Sequence, residues 1–147
     1  FQQPTQVMPL GTGPIALAAG ELTNDQRPDI AAVNFDSNTV SVLKAQGDGT
    51  FTKVTTMPTA EKPIAIAIAD LDRDGNQDLI VANSSANQIS VFLGRGDGTF
   101  DPAQPFAVGM QPWALAIVDL DHDGFPDVAT ANQLSGDVSI LLNRTGR

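Results

Sequence analysis

The sequence predicts an all-β fold built of blades of four antiparallel strands, three blades to the chain. Two observations predict it. First, one unit of 49 residues is spoken three times in register: Pro14, Pro63 and Pro112 share a phase, as do Asn34, Asn83 and Asn132, and Ser41, Ser90 and Ser139. Second, strand signals recur in every unit while helical periodicity is absent. Self-similarity at a period of about 40 to 50 residues marks stacked or radial repeats, in which one unit cannot bury its apolar face without its neighbours. The expected units are about 1–50, 51–99 and 100–147, forming one three-blade segment rather than three domains.

In the second unit the strands are expected at about Ile64 to Ala69, Leu79 to Asn83, Gln88 to Leu93, and Thr99 to Ala107. The first alternates large and small side chains, as in Ile64-Ala-Ile66-Ala-Ile68, and Trp113-Ala-Leu115-Ala-Ile117 repeats the pattern. Apolar on both faces, such a strand should be buried on both sides, like the innermost strand of a β-propeller blade. Trp113 shares the phase of Ile15 and Ile64 and is expected in the core. The fourth segment carries Pro58 in one unit and Pro102 and Pro105 in another, so it should be the outer edge strand, where a missing N–H is tolerated.

Between first and second strands runs an aspartate ladder, Asp70-Leu-Asp72-Arg-Asp74-Gly75-Asn-Gln-Asp78, repeated as Asp119-Leu-Asp121-His-Asp123-Gly124-Phe-Pro-Asp127. Oxygens at loop positions one, three, five and nine, with a backbone carbonyl from position seven, can converge on one hard cation. The expected ligands are Asp70, Asp72, Asp74, Asp78 and the carbonyl of Asn76, then Asp119, Asp121, Asp123, Asp127 and the carbonyl of Phe125. All-oxygen ligands in a flexible loop favour Ca²⁺ over Zn²⁺ or Mg²⁺. An EF-hand also begins D-x-D-x-D-G, but it needs a Glu at position twelve and flanking helices; here that position is Val81 or Thr130. In the first unit the loop is worn: Glu21, Thr23, Asp25, the carbonyl of Arg27 and Asp29 make a weaker candidate set, with Gln26 in place of the glycine.

Composition excludes several function classes. With no cysteine, thiol catalysis, disulfides and zinc-thiolate sites are absent, and any stapling falls to calcium. The net charge of −9 is concentrated in the ladders, and eight scattered Lys and Arg make nucleic acid a poor partner. No apolar run is long enough to span a bilayer, so no membrane partner is expected. The single histidine, His122, sits at an outward position of a ladder, and no serine has a histidine in phase, so an enzyme is not expected. Arg95-Gly-Asp97 has the counterpart Gln46-Gly-Asp48, which explains its Gly-Asp by turn chemistry rather than adhesion.

The D-x-D-x-D-G-x-x-D loops, the following Ile80-Val-Ala-Asn83 and Ala129-Thr-Ala-Asn132 strands, and the Gly47-Asp-Gly-Thr-Phe51 and Gly96-Asp-Gly-Thr-Phe100 turns resemble the FG-GAP, or VCBS-type, repeats of integrin-α-like β-propellers. The resemblance implies loops that bind Ca²⁺ structurally in an adhesion, lectin or scaffold module. Propellers carry about four to eight blades, so three need their end faces covered. Phe1 aligns with Phe51 and Phe100, which suggests that Phe1 to Met8 is an outer strand completing the third blade of another chain. Ring closure by homo-oligomerisation follows, as a dimer of six blades in preference to a trimer of nine. A length of three times 49 also suits a fragment or a designed, amplified repeat unit. The expected role is a self-assembling structural or protein-interaction scaffold, the alternative being a carbohydrate-binding lectin. Placement is expected outside the cell or in a periplasm, where calcium is plentiful.

Overall fold

The computed structural model describes residues 6–144. The described residues form eleven strands in three antiparallel sheets. The first sheet has β1 (Pro14–Gly20), β2 (Asp29–Asn34), β3 (Thr39–Ala45) and β4 (Phe51–Pro58) in sequence order. The second has β5 (Pro63–Ala69), β6 (Asp78–Asn83), β7 (Gln88–Phe92) and β8 (Gln104–Ala107), and the third β9 (Pro112–Val118), β10 (Asp127–Asn132) and β11 (Asp137–Leu141). Each sheet is a meander, as short polar turns between consecutive strands require.

The repeat is visible in the backbone as well as the strands. Residues at one phase share a positive φ: Asn38 and Asn87 (54° each) with Gly136 (70°) close the turn between second and third strands. Asparagine and glycine recur there because they tolerate the left-handed conformation. Behind each turn lies a buried polar pair, with the amide of Asn34, Asn83 or Asn132 donating to the hydroxyl of Ser41, Ser90 or Ser139 at 3.0, 2.9 and 2.9 Å. Asn83 Oδ1 also accepts from Thr59 and Asn132 Oδ1 from Thr130, whereas Leu10 holds the phase of Thr59 in the first unit and Asn34 Oδ1 is left without a partner.

Sheets pack face to face. Ala31, Val33, Val40 and Val42 of the first sheet meet Leu79, Val81 and Phe92 of the second in one core. Ile80, Ile89 and Val91 on the opposite face of the second sheet meet Val128 and Leu141 of the third in another. The first strands lie together, β5 beside both β1 and β9, as in blades set around an axis.

Three expectations need correction. The first strands are not buried on both sides: β5, flanked by two sheets, is mostly half-buried, and β1 and β9 alternate between exposed and half-buried because each has a neighbouring sheet on one side only. Trp113, at the start of β9, is 51% exposed rather than in the core. The fourth strand of the second unit does not run from Thr99 to Ala107. Proline at 102 leaves a single bridge, Gly94 to Phe100, then the short exposed β8, in which Pro105 sits opposite Ser90 on the outer edge. Of the segment Phe1 to Met8, the first five residues lie outside the described ones. The rest form no strand, and the Gln6 amide bonds the backbone of Phe51, accepting from its N–H at 2.7 Å and donating to its carbonyl at 2.9 Å.

Candidate metal centre

The three acidic loops leave the first strand of each sheet on the same end of the molecule. Loop one touches loop two through Asn24 Nδ2, which donates to Asn76 Oδ1 at 2.9 Å, and Arg73 of loop two lies 5.4 Å from the Phe125 ring of loop three. Loop position four has φ of 52° at Asn24, 62° at Arg73 and 59° at His122, and position six has 64° at Gln26, 92° at Gly75 and 93° at Gly124. Two left-handed residues in one short loop fold its carboxylates inward. His122 is exposed, as its outward position predicts.

In loop two, one oxygen from each of Asp70, Asp72 and Asp78 lies within 4.8 Å of the others; Asp119, Asp121 and Asp127 gather in the same way in loop three. Oxygens sharing one Ca²⁺ at 2.3–2.6 Å stand no more than about 5 Å apart, so both clusters fit the ion. Asp70 Oδ2 accepts the Gly75 N–H at 3.0 Å and Asp119 Oδ2 the Gly124 N–H at 2.9 Å. The other oxygen of each, Oδ1, is buried and accepts no hydrogen bond. A buried carboxylate oxygen left without a donor is costly, and a cation satisfies it.

The remaining expected ligands are placed differently. Asp74 and Asp123 lie outside the clusters and cap the next turn, accepting the N–H of Asn76 at 2.7 Å and of Phe125 at 3.0 Å; Asp74 Oδ2 also takes the Asn76 amide. Asn76 and Phe125 were expected to ligate through main-chain carbonyls, and their N–H groups are committed to these caps.

The last aspartate of each ladder has a second task that spacing did not reveal. Asp78, wholly buried, accepts the N–H of Leu71 at its own loop and of Gly94 beyond β7, both at 2.8 Å. Asp127 does the same with Leu120 and Asn143, and Asp29 with Leu22 and Ala45. This carboxylate ties the loop to the end of the third strand, a distance of sixteen residues that no local motif encodes. The phase of the aspartate in all three units, including the worn one, was the available signal.

Loop one is built otherwise. Lys44 stands where Leu93 and Leu142 stand in the other units, and its ammonium pairs with Asp25 at 3.1 Å; Asp25 is also 3.9 Å from the Arg27 guanidinium. The Lys44 hydrogen bond holds the Asp25 carboxyl below its ordinary range. Glu21 Oε1 accepts from the N–H groups of Thr23 and Asp25, while Glu21 Oε2 and Thr23 Oγ1 are buried without partners. Arg27 donates its own N–H to Asp25, and Asp29 is the clamp described above. No three-carboxylate cluster forms in this loop among the described residues.

Burial pushes the Asp78 carboxyl up from 3.8 to about 6, against the Gly94 and Leu71 N–H groups and aided by Asp72 and Asp70. A pKa raised in the folded state means that the native chain binds this proton more tightly than the unfolded chain does. Its stabilising effect is complete below 3.8 and is lost as pH rises through about 6. Asp25, Asp48 and Asp97 are lowered, so their contributions vanish only at more acid pH. In metal-stripped buffer the urea midpoint should therefore fall between pH 4 and pH 7, and added calcium should flatten or invert that trend. A metal-free midpoint that rises over this range would contradict the burial of Asp78.

The Gly-Asp-Gly-Thr turns close on themselves. Asp48 and Asp97 each accept the backbone N–H of the threonine two residues on at 2.9 Å and its hydroxyl as well. Arg95 is paired to Asp101 rather than to Asp97. An apolar cleft of about 410 Å³ between second and third sheets is lined by Leu71, Ile89, Val91, Phe106, Val128 and Leu141 among others. No helix of the described residues is long and apolar enough to cross a membrane.

Sheets that repeat every 49 residues and carry an acidic loop at a constant position define a tandem β-repeat module of the propeller type. A model of the FG-GAP-like repeat family matches residues 21–81 and again 70–130, more than half of the chain. The chain belongs to the FG-GAP-like repeat family. Comparison with curated proteins finds no match.

Proposed function

We propose that this chain is a calcium-stabilised, non-enzymatic β-propeller repeat module that serves as a structural or protein-interaction scaffold. The observation that supports calcium most directly is the buried, partnerless Oδ1 of Asp70 and of Asp119, each beside two further carboxylates. Loops two and three take one ion each, which changes the net charge from −9 to −5. Loop one takes none, since Lys44 already supplies Asp25 with a positive charge. The apolar cleft between the second and third sheets holds no histidine, which favours packing over catalysis there. Sites of this charge fill where calcium is millimolar, outside the cell or in a periplasm.

The test is a calcium titration of the metal-stripped chain by calorimetry. Two ions per chain are expected, falling to one in either Asp72→Asn or Asp121→Asn; absence of binding at millimolar calcium would refute the reading, and three ions would refute the exclusion of loop one. A lectin remains the second reading because Trp113 is half-exposed, as a sugar-stacking ring would be. Reproducible signals on a glycan array that disappear in Trp113→Ala would establish it in place of the scaffold.

A further inference from the structure

The first and third sheets present outward the same faces that meet inside the chain. Val40 and Val42 of β3 are fully buried against the second sheet, and their counterparts one unit on, Ile89 and Val91, are 1% and 7% exposed against the third. One further unit on, Val138 and Ile140 of β11 are 63% and 60% exposed. At the other end the pattern is mirrored. Ile66 of β5 packs on the first core and Leu115 of β9 on the second, while Leu17 of β1, at the same phase, is 67% exposed.

We infer that the Val138 and Ile140 face of one chain packs on the Leu17 face of a second copy of this chain, repeating the interface found twice within it. This rests on the propeller-module reading and adds the partner and the face it uses. Each of the two internal interfaces joins the β3-type face of one sheet to the β1-type face of the next, and the two exposed faces are the remaining member of each kind. The repeat keeps one residue count between units, so the third sheet offers an incoming first sheet the apolar surface that the second sheet offers the third. The contact is head to tail: a face meets its complement, not itself, and such contacts close into rings when the rotation allows.

The test is absolute mass by light scattering in calcium, for the full chain and for Leu17→Arg and Ile140→Arg. Wild type is expected at twice the single-chain 15.4 kDa, a ring of six blades, with three times also satisfying the proposed contact. Either variant alone should be monomeric with an unchanged circular dichroism spectrum. Because each variant keeps one intact face, an equimolar mixture should recover a two-chain species. A wild-type monomer at all concentrations overturns the inference, and so does an assembly that Ile140→Arg breaks while Leu17→Arg leaves whole, since the face would then meet itself. If a variant loses its spectrum, Val138→Lys and Ile15→Lys take its place. A wild-type monomer that still binds two calcium ions defeats this inference alone, whereas an assembly that binds no calcium defeats the metal reading alone.

Discussion

If calcium fills both loops as proposed, chelation is expected to lower the melting temperature of the folded chain by about 10–20 °C. An ion that binds only the native state adds about 2.7 kcal/mol when its concentration is a hundred times its dissociation constant, so two ions add about 5 kcal/mol. In a chain of this size one kcal/mol moves the midpoint by about 2–4 °C. The effect is large because removing the ion does more than remove its bonds. It leaves the three carboxylates of each cluster within 4.8 Å of one another and returns Asp70 Oδ1 and Asp119 Oδ1 to buried isolation. Thermal scans in millimolar calcium and in EDTA measure it directly. Melting curves that superimpose would sink calcium as a structural element, and full recovery by magnesium alone would assign the loops to a different cation.

Asp78→Ala is the most damaging single substitution expected, and its damage should persist without calcium. Both carboxylate oxygens accept backbone N–H groups at 2.8 Å, from buried Leu71 and half-buried Gly94. Each buried donor left unsatisfied costs about 1–3 kcal/mol, so two give about 2–6 kcal/mol, a large share of the stability of a domain. Asp72→Asn is the contrast. Its side chain is half-buried and accepts only the Asp74 N–H at 3.2 Å, so this variant should lose calcium binding while its metal-free stability changes little. Urea unfolding of both variants in metal-stripped buffer separates the roles. Equal losses in the two would mean that Asp78 acts through the metal alone and that the backbone clamp contributes nothing.

Much of this architecture was legible because it is written locally. The residue following each polar turn must adopt a left-handed backbone, and only Asn and Gly accept that readily, so Asn38, Asn87 and Gly136 announce the turns and with them the strand register. The prolines at 102 and 105 mark an edge and also shorten it: a residue without an N–H breaks the ladder as well as confining it to the rim. The acidic loops were legible from charge and spacing, although of the alternate side chains only the first, second and last gather, and Asp74 and Asp123 turn to cap the backbone instead.

The repeat, the all-β blades and the position of the acidic loops can be read from the chain alone, because each is set by residues a few positions apart. Tertiary structure decided the rest. Only packing shows that Asp70, Asp72 and Asp78 converge while Asp74 turns to cap Asn76, because both are carboxylates at plausible spacing and only the path of the backbone separates them. Only packing shows that Asp78 holds the end of β7, that Lys44 reaches Asp25 from another strand, and that Trp113 and Val138 meet solvent while their counterparts in the second sheet are buried. Burial is a property of what lies on the other side of a residue, and for the outermost sheets that neighbour is not specified by the residue's own phase.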